Sequence, residues 1–288
     1  MVTEKVKNSK PENLRIELME PDFIQDSPPE ILNEQEEPIL RIENLNIQFG
    51  SNPVLQNIDF SVFKGETVAI IGESGCGKTV LLKTLIGLNK PNTGRILFDG
   101  NDLNQLSYFD LAQIRIRYGF VFQQAALFDS MTVKENIAFS LVQHTNKSKK
   151  EIDETVERLV NEVGLSQQIL DKKPAELSGG MRKRVGFARA LALEPELILY
   201  DEPTTGLDPI MSNVIDELMI ETQIRYNVTS IMVTHDMKSA CKVAGRIIML
   251  YPFAKLAETE SQVIFDGTPD EIKNSKDQRV QQFLGIKN

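Results

Sequence analysis

Gly72-Glu73-Ser74-Gly75-Cys76-Gly77-Lys78-Thr79 restricts this chain more than any other stretch of it. It fits the pattern G-x-x-x-x-G-K-[ST]. The apolar run Thr67 to Ile71 precedes it, as suits a strand buried on both faces, and a helical pattern from Lys78 to Leu88 follows it. The chemistry explains the spacing. Glycines let the backbone wrap closely, with N–H groups turned inward onto phosphate oxygens. The helix N-terminus adds partial positive charge. Lys78 is suited to reach the β- and γ-phosphates of a nucleotide, and the Thr79 hydroxyl to ligate Mg²⁺. A glycine-rich structural turn does not explain Lys78 followed by Thr79.

A second constraint is Leu197-Ile198-Leu199-Tyr200-Asp201-Glu202, an apolar strand ending in two acids. Ligand sites of parallel sheets lie at the carboxyl ends of strands. Asp201 is suited to hold Mg²⁺ through its water shell, and Glu202 to orient and polarise an attacking water. Side-chain alternation sends the two in different directions.

The remaining pattern predicts how these pieces are carried. Leu40 to Phe49 and Val54 to Phe63 alternate apolar and polar, as half-buried strands do. Ile96-Leu97-Phe98 with Asp99-Gly100 reads as a hairpin edge. A helical period dominates from about 104 to 176, with Ile152, Val156, Leu159, Val160 and Val163 on one face. After it come helix 181–193, strand 197–200, helix 209–225, strand 229–233, helix 236–243 and strand 246–250. Such alternation implies a parallel α/β core built from right-handed crossovers. A helical insert over about 104–180 interrupts it. The Tyr251 to Ser261 loop has no role legible in the sequence.

Composition narrows the partners. Net charge is −9, and residues 1–38 hold ten acids against four bases, which leaves −3 for the body. A nearly neutral body gives no basis for nucleic-acid binding. The basic run Arg182-Lys183-Arg184 is read as a helix face. Residues 1–37, acidic and rich in proline, are expected to form a disordered tail ahead of a domain spanning 38–288. No apolar run approaches the roughly 20 residues needed to cross a bilayer, and the N-terminus has no signal-peptide pattern. Two cysteines, Cys76 and Cys241, exclude a disulfide framework and suit a reducing cytosol.

Leu177-Ser178-Gly179-Gly180-Met181 precedes a helix and supplies a second anion cradle. Here the chain resembles the ABC ATPase family, whose signature sequence this motif matches over a likeness covering about residues 39–270. The resemblance implies a phosphate-loop, RecA-like parallel-sheet core with an antiparallel β subdomain and a helical insert. It implies ATP hydrolysis by a head-to-tail homodimer. ATP would lie between Gly72 to Val80 of one chain and Ser178, Gly179 and Gly180 of the other. It assigns Gln123 to a loop contacting metal and water, Asp208 to the dimer interface, and His235 to the γ-phosphate. Phe49 falls where the family stacks an aromatic ring on adenine; Tyr is common there, and Phe can stack as well.

One departure is Met181, where the signature usually carries Gln; a thioether is a weak acceptor, so that hydrogen bond is lost. Leu-Ser-Gly-Gly-Met with basic residues after it, Phe122 to Asp129, and Arg279 to Gly285 resemble the Mla/Mce-type phospholipid transport ATPases. That subgroup implies an integral membrane permease dimer, a lipid-binding Mce-type protein across the membrane, and a place at the cytoplasmic face of the inner membrane. The competing readings are the ATPase of a polar-solute importer and a soluble, non-transport ABC ATPase. The single phosphate loop and the 100 residues between Lys78 and Ser178, without sustained heptads, weigh against the soluble class.

Overall fold

A computed structural model describes residues 37–257 and 259–286. The tail expected over 1–37 therefore lies, except for Glu37, outside the described residues.

The chain opens with β1 (Leu40–Phe49) and β2 (Asn52–Val62), then β3 (Thr67–Gly72) and α1 (Lys78–Leu85). A hairpin follows, β4 (Thr93–Phe98) and β5 (Asn101–Asp102), then α2 (Tyr108–Ile116) and β6 (Tyr118–Val121). The helices α3 (Val133–His144), α4 (Lys149–Glu162) and α5 (Gly179–Leu191) come next. Then come β7 (Leu197–Asp201), α6 (Pro209–Tyr226), β8 (Thr229–Thr234), α7 (Met237–Val243) and β9 (Arg246–Leu250). The described chain finishes with β10 (Val263–Gly267), α8 (Pro269–Lys273) and α9 (Gln278–Leu284).

Two sheets result. The antiparallel one runs β2-β1-β4-β5, and the other runs β10-β9-β3-β8-β7-β6. In the second sheet β9, β3, β8, β7 and β6 are parallel, and β10 closes the edge antiparallel. Strand alternation explains why the apolar runs are continuous. Ala69 and Ile71 of β3 enter the core beneath α3 to α7, while Val68 and Ile70 enter the core shared with α1 and the antiparallel sheet.

The stretch from 104 to 176, expected to be helical, contains the strand β6. It is only four residues long and holds a glycine, so no period-two pattern marks it. Gly119 is required there because α5 crosses close above: a Cβ would stand 2.9 Å from the Ala190 carbonyl oxygen. This strand matters because Gln123 follows it. The insert proper begins at α3, whose Thr132–Glu135 capping box fixes its start.

Asn136 ties that insert to the chain leaving β6. It is fully buried; its Oδ1 accepts from Phe128 N at 2.8 Å, and its Nδ2 donates to the carbonyls of Phe128, Met131 and Thr132. Asn136→Ala would leave these groups buried without partners. We expect a loss of about 2–4 kcal/mol in unfolding free energy, measured by denaturant titration.

Candidate nucleotide site

Four neighbouring parallel strands, β3, β8, β7 and β6, end on the same edge of the sheet. The segments beyond them carry Gly72 to Thr79, His235, Glu202 and Gln123. They converge on one open cleft of about 460 Å³ whose walls include Ser74, Gly75, Gly77, Lys78, Thr79, Val80, Gln123, Glu202 and His235.

The loop after β3 is built for an anion. Each of the other eight α-helices described has an N-cap side chain accepting from its first turn; α1 has Gly77, which offers none. The first-turn N–H groups of α1 are thus free of side-chain acceptors, at the positive end of the helix. Gly77 sits at φ 97°, where an added Cβ would approach Leu55 Cδ2 to 2.7 Å. Gly72 is equally constrained: a Cβ there would stand 2.4 Å from the Leu250 carbonyl oxygen and 2.8 Å from Cys76 Sγ. Lys78 is buried, and its Nζ donates to the carbonyls of Gly72 at 2.9 Å and Glu73 at 3.2 Å. Cys76 is packed inside, and burial pushes its thiol pKa up.

The acids take separate partners around the same cleft. Thr79 Oγ1 donates to Asp201 Oδ1 at 2.9 Å. Burial raises the Asp201 pKa, against the lowering effect of that hydrogen bond, and the neighbouring Glu202 charge raises it further. Glu202 has left-handed backbone, φ 48°, which breaks the strand alternation just past β7. Its Oε2 lies 2.8 Å from His235 Nδ1 and accepts from Thr205 Oγ1 at 3.0 Å. Ring and carboxylate thus hold each other at the rim.

The second cradle stands elsewhere. Ser178 caps α5, its hydroxyl accepting from Met181 N, and Ser178, Gly179 and Gly180 do not line the cleft. Gly180 packs against α6: a Cβ would lie 2.7 Å from Met211 Cε, the movable end of that side chain. Met181 packs against the main apolar core. Asp208 caps α6, its Oδ1 accepting from Ile210 N and Met211 N, each at 3.0 Å. Phe49 ends β1 half-exposed beside the turn to β2, while Val54 supplies that wall of the cleft.

Sequence reasoning missed the support beneath the phosphate loop. Gln262 is fully buried; its Nε2 donates to the Cys76 carbonyl at 2.7 Å, and its Oε1 accepts from Gln56 N at 3.1 Å. Lys255 pairs with both carboxylate oxygens of Glu73 at 2.9 and 2.8 Å. Gln262 and, from the loop before it, Lys255 therefore brace the nucleotide cradle. No local pattern announces this, because Gln262 bonds residues 186 and 206 positions away.

The sequence model described as ABC transporter matches residues 55–205, more than half of the chain. The chain belongs to the ABC transporter family. This cassette is 38 % identical over 246 residues to the intermembrane phospholipid transport ATP-binding protein MlaF of Haemophilus influenzae, a match covering 85 % of this chain and 90 % of that one. It is 37 % identical to a probable ribonucleotide transport ATP-binding protein, mkl, of Mycobacterium leprae, over 85 % of this chain and 68 % of that one. Among solved structures it resembles a dimeric ATP-binding cassette in a post-hydrolysis state bound to ADP and phosphate: TM-score 0.70, 31 % identity, covering 80 % of this chain and 98 % of that one. The family fixes the activity class: this chain is the ATP-binding, ATP-hydrolysing subunit of an ABC transporter.

Two outcomes test the geometry. Glu202→Gln should bind ATP within a few-fold of wild type and lose turnover by about 100-fold or more, measured by nucleotide binding beside phosphate release. Gln262→Leu would leave the Cys76 carbonyl and Gln56 N–H unpaired, and should weaken ATP binding about tenfold, read by equilibrium titration.

Proposed function

We propose that this cassette powers phospholipid transport between membranes. The observation that carries the reading is the 38 % identity to the Haemophilus influenzae phospholipid ATPase across 90 % of that protein's length. The motifs Leu177 to Arg184 and Phe122 to Asp129 resemble the same subgroup.

The working unit is a homodimer. Ser178, Gly179 and Gly180 stand away from the cleft of their own chain, and the solved relative is dimeric. ATP sits in the cleft of one chain against the α5 N-terminus of the other, with Asp208 near the joint and Phe49 against adenine. Lys78 exchanges its loop carbonyls for phosphate oxygens. Thr79 and Asp201 offer oxygen donors 2.9 Å apart, with Gln123 on the same rim, which suits Mg²⁺ brought by the nucleotide. Among the described residues no cluster of three or more His, Cys, Asp or Glu side chains forms a metal cage, in keeping with that sparse donor set. Mg²⁺ bound there would neutralise charge developing on the β- and γ-phosphates. Glu202 polarises the attacking water, and His235, held by Glu202, contacts the γ-phosphate.

The membrane partner docks on an apolar groove of about 390 Å³ beside Gln123, lined by Phe120, Phe122, Phe128, Phe139 and Arg189. Its aromatic rings meet in tilted pairs, Phe120 with Phe122 at 4.3 Å and Phe128 with Phe139 at 5.0 Å between ring centres, and Phe128 and Phe139 remain partly exposed. A permease helix end fits that chemistry. No described helix is long and apolar enough to cross a membrane; on this reading the partner supplies the transport path. On this reading the cassette works at the cytoplasmic face of the inner membrane, with an Mce-type lipid-binding protein beyond it.

The similarity to the Mycobacterium leprae relative keeps a polar cargo as the second reading. Purifying the tagged chain in detergent from its own cells separates the two by mass spectrometry. Phospholipid transport predicts a permease, an Mce-type protein and enriched phospholipid. A solute permease without lipid would overturn the cargo and leave the ATPase standing.

A further inference from the structure

The basic run Arg182-Lys183-Arg184 does not form a free cationic surface. Each side chain donates to backbone carbonyls of a different segment. Arg182 Nη1 reaches Leu177 O at 2.6 Å, and Arg184 Nη1 reaches Gly164 O, just past α4, at 2.8 Å. Lys183 Nζ reaches Pro203 O at 2.6 Å, Thr205 O at 2.8 Å and, more weakly, Glu202 O at 3.5 Å.

Lys183 is the unusual member. It is 8 % exposed and forms no ion pair among the described residues. Burial lowers its pKa, against the raising effect of the nearby Glu202 charge. Its three N–H groups meet three carbonyls, all from the turn that follows β7. That turn holds Glu202 in left-handed backbone, which is disfavoured for a residue with a side chain. The turn is gripped from the other side as well: Thr205 N donates to the Glu202 carbonyl at 3.2 Å, and Thr205 Oγ1 donates to the Glu202 carboxylate. Lys183 holds the carbonyl of the same Thr205.

We propose that Lys183 is a positioning residue for ATP hydrolysis, fixing the 202–205 turn so that the Glu202 carboxylate faces the cleft and His235. It touches no nucleotide and acts only through that turn. The inference rests on the role given to Glu202, and it is independent of the cargo.

The test is steady-state hydrolysis by the full-length chain, in the complex with which it purifies. Wild type, Lys183→Met, Lys183→Arg and Glu202→Gln are compared, with affinity for a non-hydrolysable ATP analogue measured in parallel. Methionine keeps the shape and removes every donor. We expect kcat to fall by about tenfold or more in Lys183→Met, as misplacement of a reacting group does, with KM and analogue affinity within about twofold. Lys183→Arg, which keeps charge and donors, should exceed the methionine variant. If the methionine variant does not fold, Lys183→Gln carries the same comparison with the same expected split. A kcat within about twofold of wild type, beside an inactive Glu202→Gln, would overturn the proposal. So would equal losses of turnover and analogue binding without recovery by arginine, the mark of a purely structural lysine. Wild-type turnover by Glu202→Gln would instead remove Glu202 from the reaction, and the basis for Lys183 with it.

Discussion

The parallel register of β3, β8, β7 and β6 governs where this molecule can act. Backbone pairing of adjacent strands brings Ile71 beside Thr234, Asp201 beside Val233, and Val121 beside Tyr200. The residues just past those ends are then neighbours by construction. No side-chain contact has to gather Lys78, His235, Glu202 and Gln123; the ladders have already done so. Side-chain bonds only adjust angles, as between Thr79 and Asp201 or between His235 and Glu202.

Helix α5 is the second organiser. Gly119 and Gly186 let it lie close on the sheet and on the turn after Gln123. From that seat it extends cations in several directions. Arg189 donates to the carbonyls of Ala125 and Ala126, both in left-handed backbone, and Lys183 donates to the turn after Glu202. Arg189 also borders the apolar groove. One rigid element thus grips the two loops flanking the cleft, and its capped N-terminus is the Ser178 motif itself.

The legible parts of the sequence are those whose physics is local. The phosphate loop, the Asp201-Glu202 strand end and the hairpin at Asp99-Gly100 are set by neighbours in sequence, and the structure holds each in the expected element. Helix ends differ by only a few residues. β6 was hidden because four residues with a central glycine carry too little period. The bracing role of Gln262 and Lys255 was hidden because it depends on contacts across most of the chain. The basic run lies on α5, as read, but the inward turn of Lys183 onto carbonyls was hidden for the same reason.

The bare N-terminus of α1 has a consequence for the protein as a polymer. Eight of the described α-helices finish themselves with a Ser, Thr or Asp side chain, and α1 leaves its end to a molecule from solution. The bound nucleotide is then a missing piece of secondary structure as well as fuel. A ligand present at a hundredfold above its dissociation constant stabilises the folded form by about 2.7 kcal/mol. The loop before α1 is then the part of the fold that a bound nucleotide would complete. Its order follows the cell's supply of nucleotide as well as the amino-acid sequence.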